Sequence, residues 1–319
     1  MTDLKAPFPW FGGKRRVAAE VWQRFGAVRN YVEPFFGSGA VLLGRPTPFD
    51  GAETINDSDG FVSNFWRAIQ ADPASVAHYA DWPVNENDLH ARHAWLVQRR
   101  ETLRAKLEGD PEYYDAKIAG WWVWGQSCWI GSGFCSGQGP WQVNDERQLV
   151  HLGTNGQGIN RKRMHLRSNG QGAVTQSGDA LKEWFVHLST RLRRVRVASG
   201  DWSRVCGSAV TETHGMTAVF LDPPYADTAH RAENIYAVDS FNVAHTVREW
   251  AIANGDNPLL RIALCGYDGE HAMPDSWAVY QWKAHAGYGA QGSIRTNNNL
   301  RERIWFSPAC LNFTKEPSL

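Results

Sequence analysis

Tyr31-Val32-Glu33-Pro34-Phe35-Phe36-Gly37-Ser38-Gly39, followed by the apolar residues 40–43, decides the fold. A short strand runs into a glycine-rich turn and then into a helix, the order in which α/β sheets present a backbone to a ligand. Glycines there let the main chain approach a nucleotide-like molecule closely, and an acidic residue about 20 positions on can bond a ribose diol. Asp57, in Ile55-Asn56-Asp57, stands at that spacing from Gly37. A pyrophosphate binder would carry the fuller Gly-x-Gly-x-x-Gly, with phosphate resting on the helix N-terminus. Here Leu42 fills the third position and Glu33 would repel phosphate. The expected ligand is an adenosine with a cationic tail rather than a dinucleotide.

Farther along, Val219-Phe220-Leu221-Asp222-Pro223-Pro224-Tyr225 sets a carboxylate, a diproline and an aromatic ring at the end of an apolar run. Residues 217–221 read as a buried strand whose carboxyl end delivers Asp222 to a crevice. The prolines fix φ and offer no N–H, so the carbonyls of Asp222 and Pro223 can point outward as acceptors beside the Asp222 carboxylate. An exocyclic amine donates two hydrogens; accepting both draws its lone pair out of ring conjugation and makes it nucleophilic. Tyr225 is placed to stack on the same flat base. The plainer reading of these residues is a strand closed by a proline turn.

A third signature precedes both: Pro7-Phe8-Pro9-Trp10-Phe11-Gly12-Gly13-Lys14, an aromatic, glycine-rich loop ahead of a helix-like segment at 15–25. The three motifs, in this order, resemble the Dam-like class of DNA adenine methyltransferases, enzymes that use S-adenosyl-L-methionine to methylate the exocyclic amine of adenine. The resemblance covers roughly residues 7–70 and 190–308 and leaves the middle of the chain unassigned. It implies an α/β fold, a Rossmann-like methyltransferase sheet with an inserted helical and irregular DNA-recognition subdomain. It further implies that Trp10 and Lys14 help enclose the cofactor, that the turn from Glu33 through Pro34, Phe35 and Gly37 to Gly39 wraps its methionine end, and that Asp57 takes the ribose hydroxyls. Asp201, after a strand-like run at 194–198, matches the acid that meets the cofactor adenine, and Asp222, Pro223, Pro224 and Tyr225 match the catalytic motif, with Asp222 also bordering the cofactor. Phe11 departs from the family, which commonly has a small residue there.

The chain has 319 residues and 43% apolar content, enough for one large or two ordinary domains with a real core. It shows neither a basic and apolar leader at residues 1–10 nor an apolar run of membrane-spanning length, and a soluble cytoplasmic protein is expected. Cys128, Cys135, Cys206, Cys265 and Cys310 are odd in number and irregularly spaced, which suggests reduced buried thiols rather than disulfides or a zinc site. The eleven histidines form no His-Glu-x-x-His pattern, and the chemistry proposed needs no metal.

The formal net charge is zero, which at first argues against a nucleic-acid partner. Its distribution matters more: residues 161–196 hold nine lysines and arginines against two acids. Arg161, Lys162, Arg163 and Arg167 lie outside any periodic segment and are the better candidates for contacts to the phosphates of double-stranded DNA; Arg191, Arg193, Arg194 and Arg196 equally suit a solvated helix face.

Along the chain, residues 1–60 and 178–319 read as the catalytic domain and 61–177 as an inserted helical and Gly/Trp-rich target-recognition subdomain. Within the insertion, 61–71 and 86–106 have helical spacing, the latter ending at Gly109. From Gly120 to Gly178 come twelve glycines and seven glutamines, with Trp121, Trp122, Trp124, Trp129 and Trp141 interleaved. His151-Leu152-Gly153-Thr154-Asn155-Gly156-Gln157-Gly158 recurs fourteen residues later as His165-Leu166-Arg167-Ser168-Asn169-Gly170-Gln171-Gly172. Asn-Gly is a hairpin signal, and ribbons tipped by Asn155, Gln157, Asn169 and Gln171 could pair with adenine in the major groove; glycine-rich surface loops are the alternative. The tryptophans suit a local core better than a base-stacking platform. Residues 225–242 read as a polar loop able to close over a target base, 242–254 as a helix capped near Gly255, 261–266 as a strand, and 295–306 as a polar loop into a strand.

Other readings stay open. Asp-Pro-Pro-Tyr also fits methylation of a cytosine amine, an RNA base or a glutamine amide, and a silent DNA-binding protein could keep the fold. The aspartate with tyrosine and the loop order favour adenine in DNA, and the presence of Gly37, Gly39, Asp57 and Asp222 favours an enzyme.

Overall fold

A computed structural model describes residues 4–10, 13–129, 134–135, 141–143, 149–151, 177–225, 236–282 and 301–311. The helices in chain order are α1 (Ala18–Phe25), α2 (Ala40–Leu43), α3 (Gly60–Ala71), α4 (Pro73–Ala80), α5 (Glu86–Val97), α6 (Arg100–Gly109), α7 (Ala116–Cys128), α8 (Ser177–Leu192), α9 (Ser208–Thr211) and α10 (Tyr236–Asn254). The strands are β1 (Asn30–Glu33), β2 (Ala52–Asp57), β3 (Trp141–Val143), β4 (Leu149–His151), β5 (Val195–Ser199), β6 (Thr217–Leu221), β7 (Leu260–Tyr267), β8 (Ala278–Gln281) and β9 (Glu302–Phe306).

Two compact units emerge. A sheet unit takes in the described residues of Gly12–Asp57, Gly200–His285 and Arg295–Leu319; a helical unit takes in those of Met1–Phe11 and Ser58–Ser199. Relative to the division at 60 and 178 read from the sequence, α8 and β5 fall in the helical unit. There α8 packs on α3 and α4, with Phe185 fully buried against Phe65.

In the sheet unit six strands stand in the order β2-β1-β6-β7-β9-β8. The pairs β1/β2, β1/β6 and β6/β7 are parallel, and β9 runs antiparallel between β7 and β8. The interior strands β1 and β6 are buried at every residue and β7 at all but Arg261, as strands covered on both faces are. All five residues of β6 are buried, and Val32, Val219 and Ile262 continue one row across the register. Fully burying such a side chain contributes roughly 1.5–3 kcal/mol. β1 lies between β2, which follows it in the chain, and β6, which is reached only much later, so the strand order reverses beside β1. Ligand crevices of open α/β sheets form at the carboxyl ends of such strands. The fold is a Rossmann-like α/β architecture.

The helical unit is built by capping and close approach. Asp59, Asp72, Asn85 and Asp115 each accept from a backbone N–H in the first turn of α3, α4, α5 and α7. A Cβ on Gly120 would stand 2.4 Å from the Cβ of Tyr79 and 2.8 Å from Val76 O, so only glycine lets α7 cross α4 this closely. Phe8, Phe65, Trp66 and Trp122 form its aromatic centre, and Trp124 is also buried. The tryptophans described here thus serve largely as core.

The segment read as one helix from 86 to 106 is two. At the break, the N–H of Arg99 turns to the carbonyl of Leu96, three residues back, while the Arg99 guanidinium donates to Trp95 O and stacks on the Trp95 ring. The helix expected from 242 begins earlier, at Tyr236, and the one expected over 15–25 is a 3-10 turn at Lys14–Arg16 followed by α1. The helix face weighed for Arg191 to Arg196 does not exist, because α8 ends at Leu192 and β5 starts at Val195. β3 and β4 pair antiparallel, Trp141 opposite His151.

Candidate active site

Three carboxyl-terminal strand ends meet in the sheet unit: Glu33 closes β1, Asp57 closes β2, and Asp222 follows β6. The turn after β1 needs the left-handed backbone at Gly37 (φ 47°) and Gly39 (φ 69°). At Gly39 a Cβ would also meet the Phe36 ring at 2.6 Å. The N–H of Gly37 donates to Asp57 Oδ2 at 2.9 Å, so the acid chosen by its spacing is fastened to the turn itself. Asn56, which the sequence reading passed over, ties three segments together. Its Nδ2 donates to the carbonyls of Pro34 and Gly200, both at 3.0 Å, and its own carbonyl accepts from the N–H of Phe36. The N–H of Gly200 in turn donates to Asp57 O.

Asp201 follows at once and caps the next 3-10 turn, accepting from the N–H and the hydroxyl of Ser203. Beside it Trp202 stacks with Phe35 at 6.2 Å between centroids and 28° between planes. No sequence motif singled out Trp202; its only signal was its place next to Asp201. The result is two carboxylates, two flat aromatic rings and a backbone turn in one part of the sheet edge.

The second cluster surrounds Asp222. Lys14 Nζ lies 2.9 Å from Asp222 Oδ1, with the lysine side chain 4% exposed. Burial opposes the ammonium, yet Asp222 and Glu302 among its neighbours outweigh that cost and hold the Lys14 pKa above the ordinary lysine value. Tyr225 places its hydroxyl 3.1 Å from Asp222 Oδ1 and 2.9 Å from Glu302 Oε2, and its ring meets Tyr267 edge to face. Burial pushes the Tyr225 pKa well up, so the phenol keeps its proton. Glu33 accepts from the Tyr31 hydroxyl at 2.7 Å, and burial raises its pKa well above the usual carboxylate range. Pro223 is buried and Pro224 exposed.

Most of the sequence candidates therefore come together: Lys14, Glu33, Pro34, Phe35, Gly37, Gly39, Asp57, Asp201 and Asp222 to Tyr225 all belong to the sheet unit. Lys14 is found on Asp222 itself rather than only near the glycine turn. Trp10 falls in the helical unit, where its ring packs on Phe8 and Trp122. Arg161, Lys162, Arg163, Arg167, Asn155, Gln157, Asn169 and Gln171 lie outside the described residues, as do Phe11 and the stretches 226–235 and 283–300. Glu302 was hidden inside the segment read as a polar loop entering a strand.

Among the described residues no group of three or more His, Cys, Asp or Glu is arranged to hold a metal ion, and no helix is long and apolar enough to cross a membrane.

A mostly parallel sheet with a glycine turn after β1, an acid closing β2 and Asp-Pro-Pro-Tyr after β6 is consistent with a Rossmann-like methyltransferase fold. Residues 10–115 match the family model of the D12 class N6 adenine-specific DNA methyltransferases. Two curated relatives, each named DNA adenine methylase and from two Vibrio cholerae O1 strains (classical Ogawa O395 and El Tor Inaba N16961), are 30% identical over 89 residues. Those residues are 28% of this chain and span about a third, 31%, of the relatives' length.

Proposed function

We propose that this chain is a site-specific DNA methyltransferase that moves a methyl group from S-adenosyl-L-methionine to the N6 amine of an adenine flipped out of double-stranded DNA. The observation that carries this reading is the juxtaposition, in one sheet unit, of the Asp222 to Tyr225 motif with the glycine turn fastened to Asp57. The family match over residues 10–115 supports it.

The residues present suit that cofactor. Asp57 and Asp201 are acceptors for hydroxyl and amine donors, Phe35 and Trp202 offer flat faces to an adenine, and the turn from Glu33 to Gly39 contains no cation that would repel a sulfonium. When bound, S-adenosyl-L-methionine supplies an electrophilic methyl carbon on positively charged sulfur. The protein's own part is to bind, orient and accept. Asp222 and the carbonyls of Asp222 and Pro223 accept from the target amine, which no proline N–H competes for. Tyr225 gives the base a ring to stack on, and Lys14 balances the charge of Asp222. Fixed acceptors of this kind act without reorganising during the reaction. Chemistry on a base edge first requires extrusion of the base, at about a few kcal/mol.

For DNA itself we assign Arg161, Lys162, Arg163 and Arg167 to phosphates and Asn155, Gln157, Asn169 and Gln171 to base edges, within a recognition subdomain inserted at 61–177. Mass spectrometry of nucleosides from DNA incubated with the protein and S-adenosyl-L-methionine tests the reading. N6-methyladenine is expected; N4-methylcytosine, or no modified base, would overturn it.

A further inference from the structure

Beside Tyr225 two carboxylates compete for one proton. The phenol has a single hydrogen to donate, and it stands 2.9 Å from Glu302 Oε2 and 3.1 Å from Asp222 Oδ1. Glu302 opens β9, where the antiparallel register sets it opposite Tyr267. Tyr267 meets the Tyr225 ring at 4.7 Å and 76°. Glu302 is only 4% exposed, so its hydroxyl partner is not easily replaced by water. Asp222 Oδ1 already accepts from the Lys14 ammonium, which also lies 5.2 Å from the centre of the Tyr225 ring. A second donor on that oxygen would leave it a poorer acceptor for any further N–H.

We propose that Glu302 is a positioning residue of the transfer site: by accepting the hydrogen bond of the Tyr225 hydroxyl it fixes the ring against Tyr267 as the platform for the target base and turns that hydrogen away from Asp222. This assignment rests on the adenine-transfer reading and adds to it the device that keeps the acceptor receptive. Glu302 acts through Tyr225 and needs no contact with substrate. A carboxylate suits this role better than an amide, because an ionised carboxylate only accepts, whereas a glutamine can turn Nε2 to the phenol oxygen as a donor and send its hydrogen toward Asp222. Burial raises the Glu302 pKa, while Lys14 and the Tyr225 hydrogen bond oppose that shift and favour the ionised, accepting form.

The test is a double-variant cycle on the full chain with Glu302→Gln and Tyr225→Phe. Single-turnover methylation is measured alongside the fluorescence of 2-aminopurine placed at the target position, in cofactor-free protein, in the duplex context that sequencing of methylated DNA returns. Glu302→Gln is expected to lower the transfer rate about tenfold or more and to reduce the base-flipping signal, with binding of S-adenosyl-L-methionine and the melting temperature little changed. In the Tyr225→Phe background, where no hydroxyl can be misdirected, Glu302→Gln should add nothing further. Unchanged transfer and flipping in Glu302→Gln, or effects that multiply in the double variant, would overturn the assignment while wild-type N6-methyladenine formation stands. A wild-type protein that forms no N6-methyladenine would instead sink the underlying reading, and this one with it.

Discussion

Lys14 and Asp222 form an ion pair, Nζ to Oδ1 at 2.9 Å, in which the lysine is 4% exposed and the carboxylate 18%. The lysine comes from the 3-10 turn at the start of the sheet unit and the carboxylate from the carboxyl end of β6. Coulomb attraction outweighs the cost of burying the ammonium and holds the Lys14 pKa above the ordinary lysine value, so Lys14 is charged at neutral pH.

Removing Asp222 should therefore act twice. Asp222→Ala takes away the acceptor for the amine, with turnover falling roughly a hundred-fold or more by comparison with loss of one preorganised polar partner. It also strands a buried ammonium, at a cost near the lower end of the roughly 3–5 kcal/mol seen when buried pairs are broken, because Asp222 is partly solvated. Asp222→Asn should keep more of the stability and little of the turnover. Rapid-quench methylation and thermal melting, run on both variants, separate the two effects; wild-type turnover in Asp222→Ala would remove Asp222 from the mechanism.

At the other end of the site, Asp57→Ala removes the acceptor of the Gly37 N–H. A hydrogen bond to a charged group contributes roughly 1.5–3 kcal/mol, so the dissociation constant for S-adenosyl-L-methionine should rise about tenfold or more. Calorimetric titration of the cofactor reads this directly, and an unchanged affinity would detach Asp57 from the binding turn.

Two buried histidines bear on acid stability. Burial pushes His93 and His271 down to about 4; the His93 ring stacks on Trp129 at 4.9 Å and 8°, and His271 meets Trp305 edge to face. Each is neutral in the fold and takes a proton on unfolding below about 6.5, so its contribution is present above that pH and is lost as pH falls toward about 4, up to roughly 3 kcal/mol each. Glu33 and Glu302, whose folded pKa values are raised, act in the opposite sense: each stabilises the fold at low pH and loses that contribution as pH rises through its folded value. The comparison of wild type with His93→Phe, which keeps an aromatic ring on Trp129, isolates one histidine. Urea unfolding between pH 7.5 and 4.5, values chosen to bracket roughly the ordinary histidine pKa, should show a shallower decline in the variant by about one proton. Parallel curves would contradict the assignment.

For DNA binding, alanine at Arg161, Lys162, Arg163 or Arg167 should weaken affinity across sequences and reduce the slope of log K against log salt by about 0.9 for each phosphate the protein no longer neutralises. Filter binding at several salt concentrations measures it. Slopes that do not move would place the phosphate-binding cations elsewhere.

The sheet was legible where a strand is a short, mostly apolar run with turn chemistry at its end: residues 217–221 read as a strand and form β6. Asp57 was legible by its spacing from Gly37, a local regularity of strand-turn-helix units. Glu302 was not, since only the reversal of β9 against β7 returns it to Tyr225, across 77 residues. Lys14 and Asp222 each stood out, but their pairing did not, because ion pairing between distant segments leaves no periodic trace. α7 escaped notice for a different reason: Ala116–Cys128 buries residues around most of its circumference, and a helix that is apolar all round has no stripe to detect. The single helix expected at 86–106 failed where Arg99 turns back on Trp95, a side-chain choice invisible to hydrophobic spacing.

The antiparallel return of β9 also sets an order of events during synthesis. The segment bearing the glycine turn and Asp57 leaves the ribosome first, Asp222 and Tyr225 later, and Glu302, the second acceptor of the phenol, last among them. On the proposed reading, a nascent chain halted before that final strand already carries the cofactor turn, yet lacks the second acceptor for its tyrosine. Competence for transfer is, on that reading, the last of these properties to mature.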